Sequence, residues 1–195
     1  SVYAAQVAGG LVGWNYGGTI ADSHATGEVT GNNQTGGLVG HNAGVIARSY
    51  ATGNVHGEFQ VGGLAGSQSG SITGSYATGD VVGTGIRVGG LVGDNKGNND
   101  NSYAAGSATG PGQVGGLVGL SSGVIANTYA AAFVDGNGSS AIGGLAGVNA
   151  GSISNSYWDA GMAGSAVSPD GRDRTSAQMK SQATFAGWGI ASTGG

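Results

Sequence analysis

Ten carboxylates, six basic side chains and three histidines are the groups in this chain that could do chemistry, and their spacing argues against most of it. Enzymes that cleave polysaccharides need two acids, or an acid with Lys or Arg, converging on one bond. Asp22, Glu28, Asp80, Asp94 and Asp135 are dispersed and read as solvated surface groups. The densest charged group is Asp170, Arg172, Asp173 and Arg174, which reads as a polar loop with local ion pairs rather than as a catalytic or cation site. His24, His41 and His56 have no metal-ligand spacing, and the chain has no cysteine to supply a thiolate or a disulfide. Asp135-Gly136-Asn137-Gly138 lacks the carboxylates of a calcium loop and reads as a turn. The expectation is a protein with no catalytic residue, no metal and no cofactor: not an enzyme.

Composition narrows the partners. Arg48, Arg87, Lys96, Arg172, Arg174 and Lys180 are scattered, and the net charge is −4. Displacing counterions from nucleic-acid phosphates needs clustered cations, so no nucleic-acid partner is expected. No apolar run approaches the ~20 residues of a membrane-spanning helix. Glycine supplies 45 of the 195 residues, and the two prolines exclude collagen.

The glycines belong to a repeat. Gly-Gly-Leu occurs six times, with its leucine at Leu11, Leu38, Leu64, Leu91, Leu117 and Leu145, at intervals of 27, 26, 27, 26 and 28 residues. Four residues on stand Asn15, Asn42, Gln68, Asn95, Ser121 and Asn149. An aliphatic column follows at Ile20, Ile46, Ile72, Ile125 and Ile153, broken in the fourth copy by Asn99. Next comes a Ser/Thr-Tyr pair ending at Tyr50, Tyr76, Tyr103, Tyr129 and Tyr157, with His24 in the first copy. An Ala-Thr-Gly-x-Val-x-Gly segment closes the unit at Ala51–Gly57 and Ala77–Gly83.

Each unit holds three short β-capable stretches between glycine or Asn-Gly turns and has no room for a helix. The expected fold is all-β: a parallel β-helix, or β-solenoid, of about six coils stacked ~4.8 Å apart. The leucines and isoleucines are its structural ladder. Ala51, Gly53 and Val55 should face inward, and Asn54 and His56 outward. The Leu-Val pair has apolar groups on both faces. Glycine at fixed columns implies corners with positive φ, or backbone too close for a Cβ.

After Tyr157 the pattern fails, which divides the chain into a solenoid over residues 1–157 and a tail over 158–195. Thr175-Ser176-Ala177-Gln178 reads as a capping box opening a helix near 176–183, which with Met179, Phe185 and Trp188 should cover the C-terminal end. At the other end Val7 and Ala8 align with Gln60 and Val61, so the chain starts in mid-unit. Either upstream sequence or another chain is expected to complete that coil.

Two outward ladders invite functional readings. Tyr50, Tyr76, Tyr103, Tyr129 and Tyr157 could form a carbohydrate-stacking platform, although such rings more often pack on one another. Thr26, Thr52 and Thr78 could present a regular ice-binding face, but the ladder ends at Ala105, Ala131 and Asp159.

At these residues the chain resembles proteins carrying the GLUG motif, named for a Gly-Leu-x-Gly core. That core stands at Gly10–Gly13, Gly37–Gly40, Gly63–Gly66, Gly90–Gly93, Gly116–Gly119 and Gly144–Gly147. The tail is similar too, with Ser156-Tyr157-Trp158-Asp159, Thr175–Met179 and Phe185-Ala186-Gly187-Trp188. The resemblance implies large secreted bacterial or archaeal surface proteins, including filamentous-haemagglutinin-type adhesins and immunoglobulin A peptidases with a separate catalytic domain. It supplies no catalytic or ligand residue. The expected function is a non-enzymatic, extracellular adhesin or stalk segment whose partner is a glycan or protein of a host or neighbouring cell surface. A filament subunit self-associating head to tail through the solenoid ends, and an accessory module of a secreted hydrolase or peptidase, are the alternatives.

Overall fold

The computed structural model describes residues 1–164, 166–168 and 171–185. The chain winds into six stacked coils whose strands pair in parallel, forming one sheet of eleven strands and three of six. Equivalent residues lie over one another. Val39 pairs with Val12 on one side and Ala65 on the other, and Ile46 pairs with Ile20 and Ile72. The leucine column shows the bonding that results. The N–H of each of Leu11, Leu38, Leu64, Leu91 and Leu117 donates to the carbonyl of the next leucine along the stack, at 2.8–3.0 Å.

The second coil holds five short strands, not three: Gln34–Gly36, Val39–Asn42, Val45–Ala47, Tyr50–Ala51 and Val55–Gly57. Bends at Gly37-Leu38, Ala43-Gly44 and Arg48-Ser49 cut what reads as longer stretches. In the fourth and fifth coils the last two strands run together as Tyr103–Thr109 and Tyr129–Asp135. The bend also resolves the Leu-Val pair. It breaks strand alternation between them, so Leu38 and Val39 both enter one core cluster.

That core runs the length of the stack. Leu38, Leu64, Leu91, Leu117 and Leu145 are fully buried, as are Ile46, Val55, Val81 and Ile125, whereas Leu11 at the open end is 50% exposed. Ala51 and Val55 face inward, Asn54 is exposed and His56 half-exposed. Polar ladders run inside as well. Asn15 Nδ2 donates to Asn42 Oδ1 (2.8 Å), Asn42 Nδ2 to Gln68 Oε1 (3.3 Å), Gln68 Nε2 to Asn95 Oδ1 (3.1 Å) and Asn95 Nδ2 to Ser121 Oγ (3.1 Å). Such amide stacks satisfy buried groups only when the rungs keep register. Gln68 also donates to Asn99 Oδ1 at 3.1 Å, which satisfies one half of the asparagine that replaces isoleucine in the fourth coil and leaves its buried Nδ2 without a protein partner.

Glycine serves close approach more than corners. A Cβ on Gly70 would collide with the carbonyl oxygen of Gly44 in the preceding coil. The left-handed corner before the Ser/Thr-Tyr pair instead carries Asp22, Arg48, Asn101, Asn127 and Asn155, with φ between 43° and 50°, and only Gly74 there is a glycine. Asn and Asp tolerate this region because their short polar groups bond locally.

The tail covers the stack differently from the sequence expectation. The Thr175–Gln178 capping box is present, but the α-helix is one turn, Ser176–Met179, followed by a 3-10 turn, Gln182–Phe185. This segment packs on the last strands of the eleven-stranded sheet, Tyr157–Asp159 and Arg172–Arg174, and sets Phe185 against Tyr129 and Tyr157. Trp158 packs over Gly144, Gly171 packs on Leu145, and Ser168 Oγ accepts the N–H of Ala146 at 3.3 Å, closing the last coil. Trp188 lies outside the described residues.

Candidate functional site

The predicted tyrosine ladder is a stack of rings. Tyr50, Tyr76, Tyr103 and Tyr129 lie 4.8–4.9 Å apart with interplanar angles of 2–7°, and His24 continues the stack 5.0 Å from Tyr50. Each ring is half-buried under its neighbours, so the flank offers edges and hydroxyls rather than open faces. Phe185 closes on Tyr129 at 5.7 Å, and Arg174 lies 4.8 Å over the Tyr157 ring. Burial, with the neighbouring Tyr103 adding to it, pushes the Tyr129 phenol up to about 12.

The other sequence candidates separate. Arg172–Arg174 is not a loop but a strand paired with Tyr157–Asp159, and Asp170 lies outside the described residues. His24 stacks on Tyr50, His41 packs against Trp14 at 4.7 Å, and His56 sits 3.3 Å from Glu28. Among the described residues no three His, Cys, Asp or Glu side chains converge as a metal site. Asp135 Oδ1 accepts the N–H of Asn137 at 2.9 Å, which makes a turn of that segment. Thr26, Thr52 and Thr78 are exposed in one line.

A site that the sequence reading missed lies along another edge. The arm entering each Gly-Gly-Leu bend and the arm leaving it pack face to face. Gly66 allows this, since a Cβ there would run into Thr35, Gln34 and Gln60 backbone. The rims of the two arms carry different columns. One rim is Val7, Gln34, Gln60, Arg87 and Gln113; the other is Trp14, His41, Ser67, Asp94 and Leu120.

The polar seam between them centres on Asp94, which is fully buried. Its Oδ2 accepts from Gln60 Nε2 at 2.9 Å and Arg87 Nη1 at 3.0 Å, and lies 3.4 Å from Lys96 Nζ. Seven buried side-chain polar atoms among the described residues lack a protein partner, and five are here: Gln34 Oε1, His41 Nδ1, Arg87 Nε, Asp94 Oδ1 and Gln113 Oε1. Burial, helped by the Lys96 charge, holds the His41 imidazole below its ordinary 6.5. Toward the open end the seam widens into a cleft of about 420 Å³ lined by Trp14, Gln34, Phe59, Gln60, Ile86 and Arg87, with Gln6, Val7 and Asn33. The signal in the sequence was a long polar side chain recurring at Gln34, Gln60, Arg87 and Gln113, one step before an inward valine or threonine.

The GLUG-motif family model matches residues 4–30, 31–55 and 57–82, one match for each of the first three coils. Residues 4–82 carry three GLUG repeats. No curated protein and no solved structure matches it. Trp14, Gln34, His41 and Gln60 fall inside the matched GLUG repeats, and Arg87 and Asp94 lie in the coil that follows. The glycines of the Gly-Leu-x-Gly core have a structural task here, since Gly40, Gly66 and Gly93 are the points where the two arms touch.

Proposed function

We propose that this GLUG solenoid is a non-enzymatic presenting element of a secreted cell-surface protein, an adhesin or stalk segment that holds a ligand-binding edge on a rigid support. The observation that carries the reading is the unbroken register of the sheets through the stack. Leucine, isoleucine, amide and tyrosine ladders lock each coil to the next, while the outward columns change freely, as in Asn54, Asp80 and Ser107. Such a body keeps its shape independently of what its surface carries. A cleft with unmet hydrogen-bonding groups and no converging acid pair supports binding over bond cleavage among the described residues. The filament reading has less support, because Trp158 and Gly171 already cover the C-terminal face that a second copy would need.

The test is retention. Beads coated with the purified chain should be held on bacterial or animal cell layers above the level of uncoated beads. Equal retention of coated and bare beads on every layer tried would refute the role. Incubating the chain with soluble polysaccharides and counting reducing ends separates the hydrolase alternative, and no increase is expected.

A further inference from the structure

The cleft between the two arms has a chemistry of its own, and its interpretation rests on the presenting role above. We propose that it is a saccharide subsite that takes a neutral hexopyranose unit of a surface polysaccharide.

A pyranose shows a C–H-rich face to apolar rings and a rim of hydroxyls that both donate and accept. The cleft matches both. Trp14 is 44% exposed, yet Tyr16 stacked 5.3 Å away and His41 at 4.7 Å hold its ring in place. Phe59 and Ile86 add exposed apolar surface on the other rim. A rigid aromatic contributes contact area with little rotamer entropy to lose.

The hydroxyl partners are amides and a guanidinium at coil spacing: Gln34, Gln60 and Arg87 occupy successive rungs, ~4.8 Å apart, close to the length of one hexose in a linear chain. Their orientation is fixed from behind. Asp94 holds Gln60 Nε2 and Arg87 Nη1, while Arg87 Nε and Gln34 Oε1, on residues that line the cleft, are buried without a protein partner. Buried polar atoms are normally satisfied, so orphans gathered in one place mark where a ligand or its water belongs. Gln60 and Arg87 also adopt left-handed backbone, φ 50° and 65°, although neither side chain bonds locally as Asn or Asp would. That conformation is strained for a residue with a Cβ, and strain of this kind collects where side chains must be aimed.

Charge selects among sugars. The Arg87 guanidinium is already paired with Asp94, and the only further cation at the seam among the described residues is Lys96. A polyanion would need more uncompensated cations. The volume of about 420 Å³ suits a small ligand.

Affinity electrophoresis of the full chain in native gels containing hydroxyethylcellulose, galactomannan, glycogen or polygalacturonate tests this. Retardation is expected in at least one of the three neutral gels, with affinity lowered about tenfold or more in Trp14→Ala and Gln60→Ala. Thr52→Ala, on an exposed ladder elsewhere, should migrate as the unmodified chain does. Thermal melts of the two cleft variants confirm folding, and Phe59→Ala, a partly exposed side chain of the cleft lining, should show the same loss of retardation if Gln60→Ala melts early. Absence of retardation in all neutral gels, retardation in polygalacturonate alone, or equal retardation of Trp14→Ala overturns the proposal. Cell retention that survives Trp14→Ala would also remove the cleft while leaving the presenting role intact. Retardation without cell retention would keep the cleft and remove the role.

Discussion

Arg87 Nη1 donates to Asp94 Oδ2 across 3.0 Å, seven residues apart in sequence but on opposite arms of one coil. Asp94 is fully buried while the Arg87 side chain keeps 30% of its exposure, so the pair is a carboxylate sealed under a partly wet guanidinium. Removing the arginine leaves the carboxylate with Gln60 and Lys96 alone. Arg87→Ala should lower the unfolding free energy by about 3 kcal/mol in urea titration, because an orphaned buried charge costs more than the pair contributes. Asp94→Ala in the same background should cost little more, since it removes the buried charge that Arg87→Ala leaves under-compensated.

The leucine ladder should weaken unevenly. Leu91→Ala, deep in the stack, is expected to cost about 3–5 kcal/mol through lost burial and the cavity left behind. Leu11→Ala, already half exposed, should cost under about 1 kcal/mol. Equal costs from chemical denaturation would contradict the stacked core.

Two glycines should behave in opposite ways. Gly70→Ala places a Cβ against the Gly44 carbonyl and should destabilise by about 2–3 kcal/mol or prevent folding. Gly74→Asn enters a left-handed corner, φ 56°, where the nearest atoms to a Cβ are 3.7 Å away, and the same corner carries Asn101 and Asn127. It should change stability by less than about 1 kcal/mol, and a rise is expected because the unfolded chain loses freedom.

Acid should act through His41. Burial, with Lys96 nearby, depresses its imidazole below 6.5, so the unfolded chain binds the proton that the folded chain refuses. The stabilising difference is complete above pH 6.5 and is lost progressively as pH falls through the lower folded value. Melting temperature should therefore drop on acidification below pH 6.5, and His41→Gln should flatten that part of the profile.

At high pH the tyrosine stack should report itself. Tyr129, raised to about 12 against an ordinary 10.0, stabilises the fold below pH 10 and ceases to do so as pH rises through 12. Absorbance titration should show a late-ionising phenol that disappears in Tyr129→Phe.

The repeat by itself determined the stack. Leu38, Leu64 and Leu91 recur at a near-constant interval, and a parallel solenoid places such residues on one line, so periodicity in sequence becomes a ladder in space. Inward Ala51 and Val55, the Thr175–Gln178 cap and the tyrosine column were legible for the same reason: each interaction joins equivalent positions or near neighbours. The number of strands per coil was not legible, because two-residue bends such as Gly37-Leu38 leave no composition signal distinct from the glycine-rich strands beside them. Only the tertiary structure decided the seam. Gln60 and Arg87 stand in one column and Asp94 in another, brought together because the core glycines let two arms of the ribbon pack face to face. Like-over-like stacking is written in the spacing of residues, whereas contact between unlike columns depends on the angle at which the chain turns.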